Sequence, residues 1–140
     1  MATSASGQIT GKGATVTNGP KATVEIKAFR EGAVIPKKAT ESAAGYDLCA
    51  WVKDSYEEQT LIAPHSTLIV PTGLNVNIPN GYEIQCKLLP DFVNKNGVTC
   101  IYISTDENNE LYFTLMNNNR IPFSVKHLQK MGYFYLVQIY

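Results

Sequence analysis

Neither sign of charge is in excess. Twelve Lys and Arg stand against twelve Asp and Glu in 140 residues, so no overall field draws nucleic acid, an anionic membrane or an acidic substrate to the chain. Any binding must be local. Cysteine and histidine are scarce. Cys49, Cys86 and Cys100 have no CxxC spacing, and only His65 and His127 could join them as ligands, which speaks against zinc. The histidines are far apart and no Ser or Cys near them completes a catalytic pattern. Apolar runs are too short to span a bilayer, and residues 1–13 lack the apolar region of a secretory signal. A soluble, intracellular protein with reduced thiols and no membrane partner is expected. Apolar spacing of three and four never persists over a dozen residues, which excludes a long helix.

What is present divides into an arm and a body. Residues 1–21 are rich in Ser, Thr, Gly and Ala and end in the turn-like Asn18-Gly19-Pro20; alone they cannot build a core. They read either as a flexible tail or as an arm that orders against another protein. Residues 22–140 are long enough for one domain. They carry short strand-like runs bounded by Pro, Gly or Asn: Thr23–Phe29, Gly45–Val52, Thr67–Val70, Leu74–Ile78, Tyr82–Leu88, Val98–Ile103, Glu110–Met116, Phe123–Val125 and Tyr133–Ile139. Many short strands at this spacing predict an all-β fold, a β-barrel or jelly roll. Alternation places Val98, Cys100 and Tyr102 in the core. Burial of the three cysteines in apolar strands makes them small hydrophobes with raised thiol pKa values.

Five stretches carry a family resemblance: Val34-Ile35-Pro36, Ala44-Gly45-Tyr46-Asp47-Leu48, Leu61-Ile62-Ala63-Pro64, Val70-Pro71-Thr72-Gly73-Leu74 and Ile78-Pro79-Asn80-Gly81-Tyr82. In this order and spacing they resemble the N-terminal half of a trimeric dUTPase. The resemblance implies a homotrimer. It also puts Asp47 where the family holds a carboxylate that supports the water and metal shell; capping a local turn is the alternative use of Asp47.

The C-terminal half departs from that family. Where it has Pro-Arg-Ser, this chain reads Cys86-Lys87-Leu88-Leu89-Pro90-Asp91-Phe92. Lys87 offers a charge without Arg's bidentate fork, and Asp91 repels phosphate. Ile101 and Ile103, with Tyr102 between them, stand where the family's glycines would leave room for a uracil ring. Asp106 lies nine residues beyond Gly97, the family's distance for the carboxylate that orients the attacking water, but its neighbours Glu107-Asn108-Asn109 suit a turn. The last motif keeps Gly132 and Gln138, with aromatic residues in place of the charged pair.

These departures lead to the expectation of a catalytically silent member of the fold with a structural, assembly or protein-binding role. Analogy with viral and phage relatives adds a virion component, such as a capsid decoration, with the arm as its contact. No cofactor is then needed. The alternative is a divergent dUTP pyrophosphatase that uses Asp47 and Asp106, binds substrate through Gln138 and Lys87, and requires Mg²⁺.

Overall fold

The computed structural model describes residues 13–18, 22–36 and 45–139. The strands among them are β1 Gly13–Asn18, β2 Ala22–Ala28, β3 Tyr46–Cys49, β4 Gln59–Ile62, β5 Thr67–Asn77, β6 Tyr82–Leu88, β7 Val98–Thr105, β8 Glu110–Asn117, β9 Phe123–Lys126 and β10 Lys130–Gln138, with a short helix α1 at Pro90–Asn94. They form three sheets: β1-β2-β5-β8-β7, β3-β10-β6 and β4-β9. The paired strands are antiparallel. The all-β expectation holds in jelly-roll-like form, without a closed barrel.

Strand β8 is central because its alternation is strict. Leu111, Phe113 and Leu115 are fully buried on its inner face, flanked by Val70 on β5 and Val98 on β7. Its last inward residue is polar, yet Asn117 is also fully buried. The amide is satisfied internally: Nδ2 donates to the carbonyls of Ile62 (3.0 Å) and Ile121 (2.8 Å), and Oδ1 accepts from Asn119 N (2.9 Å). A buried polar group so bonded fixes a corner and avoids the desolvation penalty.

Two sequence expectations change. Thr67–Val70 and Leu74–Ile78 are joined into one strand, β5, with a register shift between Pro71 and Asn75 that accommodates a proline lacking the ladder donor. Gly73, at φ +75°, turns its carbonyl to the amides of Phe29 (2.7 Å) and Arg30 (3.1 Å). The spacing also leaves β4 unpredicted, because four residues paired only with β9 carry too short a pattern. Gly13–Asn18, within the compositional arm, pair with β2 as an outer strand. Residues 1–12 and 19–21, and with them the rest of the proposed arm contact, lie outside the described residues.

His127 pins the loop before β10. Its Nδ1 accepts from Val52 N (3.1 Å) and its ring meets Trp51 edge-on at 5.7 Å. An accepting nitrogen requires the neutral imidazole, and burial lowers its pKa. The unfolded chain therefore binds a proton that the folded chain resists. Stability is complete above the unfolded value of about 6.5 and declines as pH falls below it. Urea unfolding at pH 7.5 and 5.5 should show this decline, reduced in His127→Gln; an unchanged pH dependence in the variant would assign it to other groups.

Candidate functional site

Three places bear on chemistry, and the first runs across the sheet β3-β10-β6. Tyr133 pairs with Asp47 on one side and with Lys87 on the other, so the acid and the lysine share a face about 10 Å apart at two strand spacings. A register shift between Lys130 and Gly132 swings Lys130 onto the same face. Its Nζ stands 3.1 Å from Asp47 Oδ1 and 4.5 Å from the Tyr133 ring centre; first Asp47, then Tyr133, raises its pKa. Asp47 Oδ1 is buried and lacks an aligned hydrogen bond, so the lysine meets it as an ion contact. The carboxylate borders a small cavity of about 110 Å³ with Val34, Ile35, Thr72 and Leu74 among its walls. Gly132 makes the row possible. A Cβ there would collide with the Lys87 carbonyl oxygen and come within 2.7 Å of Leu88 Cα.

The second place is the hairpin between β7 and β8. Asp106 Oδ1 accepts from Asn108 N and Glu110 N, both at 2.9 Å, and Asn109 takes φ +62° to close the turn. Both bonds use Oδ1, and the residue itself is exposed. The hairpin is anchored by its next residue. Glu110, with only 5% of its side chain exposed, receives Arg30 Nε (2.6 Å) and Nη2 (2.9 Å), a bidentate pair of the strong kind. Arg30 also lies 4.9 Å over the Trp51 ring, and its bond to Glu110 raises its pKa despite burial. Arg30, Asp106, Glu110, Ile69, Pro71 and Tyr112 surround an open cavity of about 430 Å³.

The third place lies where the free edge of β6 meets the free edge of β7; no ladder joins them among the described residues. A depression of about 330 Å³ runs there, lined by Glu83 to Cys86 and Cys100 to Ile103. This corrects the alternation expected from sequence. Ile101 is the extra residue of a bulge between Cys100 and Tyr102. Beyond it the facing inverts: Tyr102 turns out to 56% exposure, Ile103 turns toward the core, and Ile101 stands exposed on the rim.

The structure thus brings Asp47 and Lys87 to one face and sets Asp106 apart. Pro71 lines the Asp106 cavity and Thr72, its neighbour on β5, lines the Asp47 cavity; adjacent strand residues face opposite sides. Gln138 is exposed at the far end of β10, opposite Tyr82, about 17 Å along the strand from Tyr133. Asp91 is an exposed residue of α1 beside Lys95 at 3.9 Å. Sequence reasoning missed Lys130, which only the bulge brings to Asp47, and Arg30 with Glu110, eighty residues apart. No local pattern marks Glu110, whose partner lies eighty positions away.

Among the described residues no three carboxylate, thiol or imidazole groups converge on a metal position, and the cation nearest Asp47 is already Lys130. A resident Mg²⁺ therefore does not fit the described residues of one chain.

A family model described as dUTPase matches residues 31–138. Proteins named deoxyuridine 5'-triphosphate nucleotidohydrolase are similar: that of Fusobacterium nucleatum is 33% identical over 121 residues, covering 83% of this chain and 80% of that protein. The Wolbachia pipientis wMel protein of the same name is 34% identical over 112 residues, 76% of this chain and 71% of its own. The fold is shared with the dUTPase of phage phi11 of Staphylococcus aureus, at a TM-score of 0.70 and 16% identity over 85% of this chain and 92% of that one. A mutant of that phage enzyme is described with a structural Mg(II) ion. The Streptococcus mutans dUTPase matches at a TM-score of 0.64 and 19% identity over 80% of this chain and 91% of that one.

These relatives correct the expectation of a catalytically silent structural protein. Nucleotidohydrolases at 30–34% identity cover 71–83% of the chain. The physical ground for expecting silence also weakens, since the bulge sends Ile101 to a rim and leaves a depression open where a plugged pocket was expected. A matching family model over residues 31–138, curated relatives above 30% identity and a common fold together establish that this chain belongs to the dUTPase family.

Proposed function

We propose that the protein hydrolyses dUTP to dUMP and pyrophosphate. The nucleotidohydrolase relatives carry this reading, and the site geometry accommodates it. The edge-to-edge depression supplies unpaired strand backbone on two sides, the kind of surface that reads a base edge by hydrogen bonds, and its volume is at the lower end of ligand pockets of about 300–1,000 Å³. Lys87 and Lys130 offer positive charge to a triphosphate, with Gln138 as a further substrate contact at the end of β10. Asp106 orients a water through Oδ2. The water opens the anhydride between the α- and β-phosphates, its proton passes to the carboxylate, and pyrophosphate leaves. Mg²⁺ in this reading arrives on the triphosphate, which suits an ion that keeps its waters and binds through phosphates and one or two carboxylates.

One copy cannot bring Asp106 to Asp47, because they open on opposite sides of β5. The reading therefore includes a homotrimer that shares its sites between copies. The exposed Ile69 and Tyr102 on the outer face of the large sheet favour self-association. The test follows from the sharing. Pyrophosphate release should be selective for dUTP over UTP and dCTP, and Asp47→Asn and Asp106→Asn chains, each inactive alone, should regain about a quarter of wild-type activity after unfolding and refolding as an equal mixture, the fraction of sites that receive both carboxylates in a cyclic assembly. No recovery would place both acids in one copy or remove one of them from the site.

A further inference from the structure

Two thiols face each other across the depression between the sheets. Cys86 on β6 and Cys100 on β7 belong to different sheets, and their sulfurs are 3.2 Å apart, with the Cys86 thiol donating to Cys100 Sγ. They are fourteen positions apart with α1 between them, so no tight local turn forces the approach; packing of the two sheet edges does. The bulge adds access. It lifts Ile101 out to 57% exposure and leaves both sulfurs in the wall of the open depression.

We infer that Cys86 and Cys100 form a peroxide-reactive dithiol in which Cys100 is oxidised first and Cys86 resolves it to a disulfide that ties the two sheets together. The electronic division between the sulfurs agrees with the geometry. The hydrogen bond from Cys86 brings the Cys100 pKa down to about 7 against the opposing effect of burial, with help from the backbone of Tyr102 and Thr114. The same bond, then burial, raises that of Cys86. Burial, with Asp47 beside it, holds Cys49 at about 11. The expectation of three inert, raised thiols is thus overturned at Cys100 alone, because a thiol that accepts a hydrogen bond from another thiol gains stabilisation as the anion.

The chemistry balances with a hydroperoxide as oxidant. The Cys100 thiolate attacks the terminal peroxide oxygen and the O–O bond breaks; sulfur is oxidised by two electrons to the sulfenic acid and the oxidant leaves as hydroxide or alkoxide, then takes a proton from water. Cys86 sulfur next attacks Cys100 sulfur. The S–O bond breaks, the displaced hydroxide leaves with the Cys86 proton as water, and the disulfide is complete.

The test uses the full chain, reduced and then exposed to hydrogen peroxide at pH 7.5. Alkylation and tryptic mapping follow, since cleavage at Lys87 and Lys95 separates the two cysteines. The expected result is a linked pair of peptides carrying Cys86 and Cys100, reversed by dithiothreitol, formed at least about tenfold faster than any oxidation of Cys49. Cys86→Ser should stop at a Cys100 sulfenic acid that dimedone traps, and Cys100→Ser should give no linked pair. The near-isosteric serines keep the fold, checked by circular dichroism. Full alkylation of all three cysteines after peroxide, or a disulfide involving Cys49 or a second chain in place of this one, would overturn the inference.

Discussion

Asp106→Asn should lower the turnover of dUTP by about 10²–10⁴-fold, the range for loss of a positioned general base, while leaving the unfolding temperature almost unchanged. The pairing of these outcomes comes from the two oxygens of one side chain. Oδ1 holds the hairpin by accepting from Asn108 N and Glu110 N, and an asparagine keeps that oxygen. Only the proton-accepting capacity disappears. Asp106→Ala, by contrast, removes the acceptor as well and should cost about 1 kcal/mol of stability, the worth of a typical turn hydrogen bond. Steady-state pyrophosphate release and thermal unfolding of both variants provide the check. An asparagine variant as active as the parent would remove Asp106 from the chemistry and leave it a turn residue. A parent that releases no pyrophosphate would remove the proposed function itself.

Gly132→Ala should cost about 2–4 kcal/mol by overpacking, since a Cβ there makes the closest approach of those at the described glycines compared. The added methyl meets backbone, the Lys87 carbonyl and Leu88 Cα at 2.7 Å, and backbone within a ladder cannot swing aside as a side chain would. To make room, β10 must part from β6 near the Tyr133–Lys87 pair, so the acid and lysine lose their common face. Binding of the triphosphate should weaken along with stability. Gly32→Ala gives the contrast: φ is +81° there, but a Cβ meets nothing within 4 Å. It should cost about 1 kcal/mol from backbone conformation alone. Urea midpoints at constant m measure both. Equal losses at the two glycines would show that β6 yields to the added methyl at little cost.

The all-β class was legible because short apolar runs between turn residues carry a strong signal, and β8 repeats it without interruption from Leu111 to Leu115. Asp47 and Lys87 were legible as candidates from their motif neighbours. What the sequence could not disclose were arrangements made by irregular backbone. One bulge brings Lys130 to Asp47, another reverses Tyr102 and Ile103, and neither has a residue signature that periodicity detects. Pairings across many residues were equally hidden: Arg30 reaches Glu110 across β5 within one sheet, and Cys86 meets Cys100 where the edges of two sheets approach. The mistaken weight on silence came from the altered phosphate and C-terminal motifs and from reading Ile101 and Ile103 as plugs, and for Ile101 that last conclusion rested on which way one side chain points.

The extra residue at Ile101 also makes the hairpin sensitive to odd and even length. Held in the bulge, it leaves Cys100 and Ile103 inward and Tyr102 outward; paired in a regular ladder, it would exchange the faces of every side chain from Tyr102 onward, setting a tyrosine hydroxyl in the core and an isoleucine in water. Deleting Ile101 alone would therefore straighten the strand and keep the facing of everything beyond it, so the bulge is where this hairpin holds a solitary residue at no cost in parity.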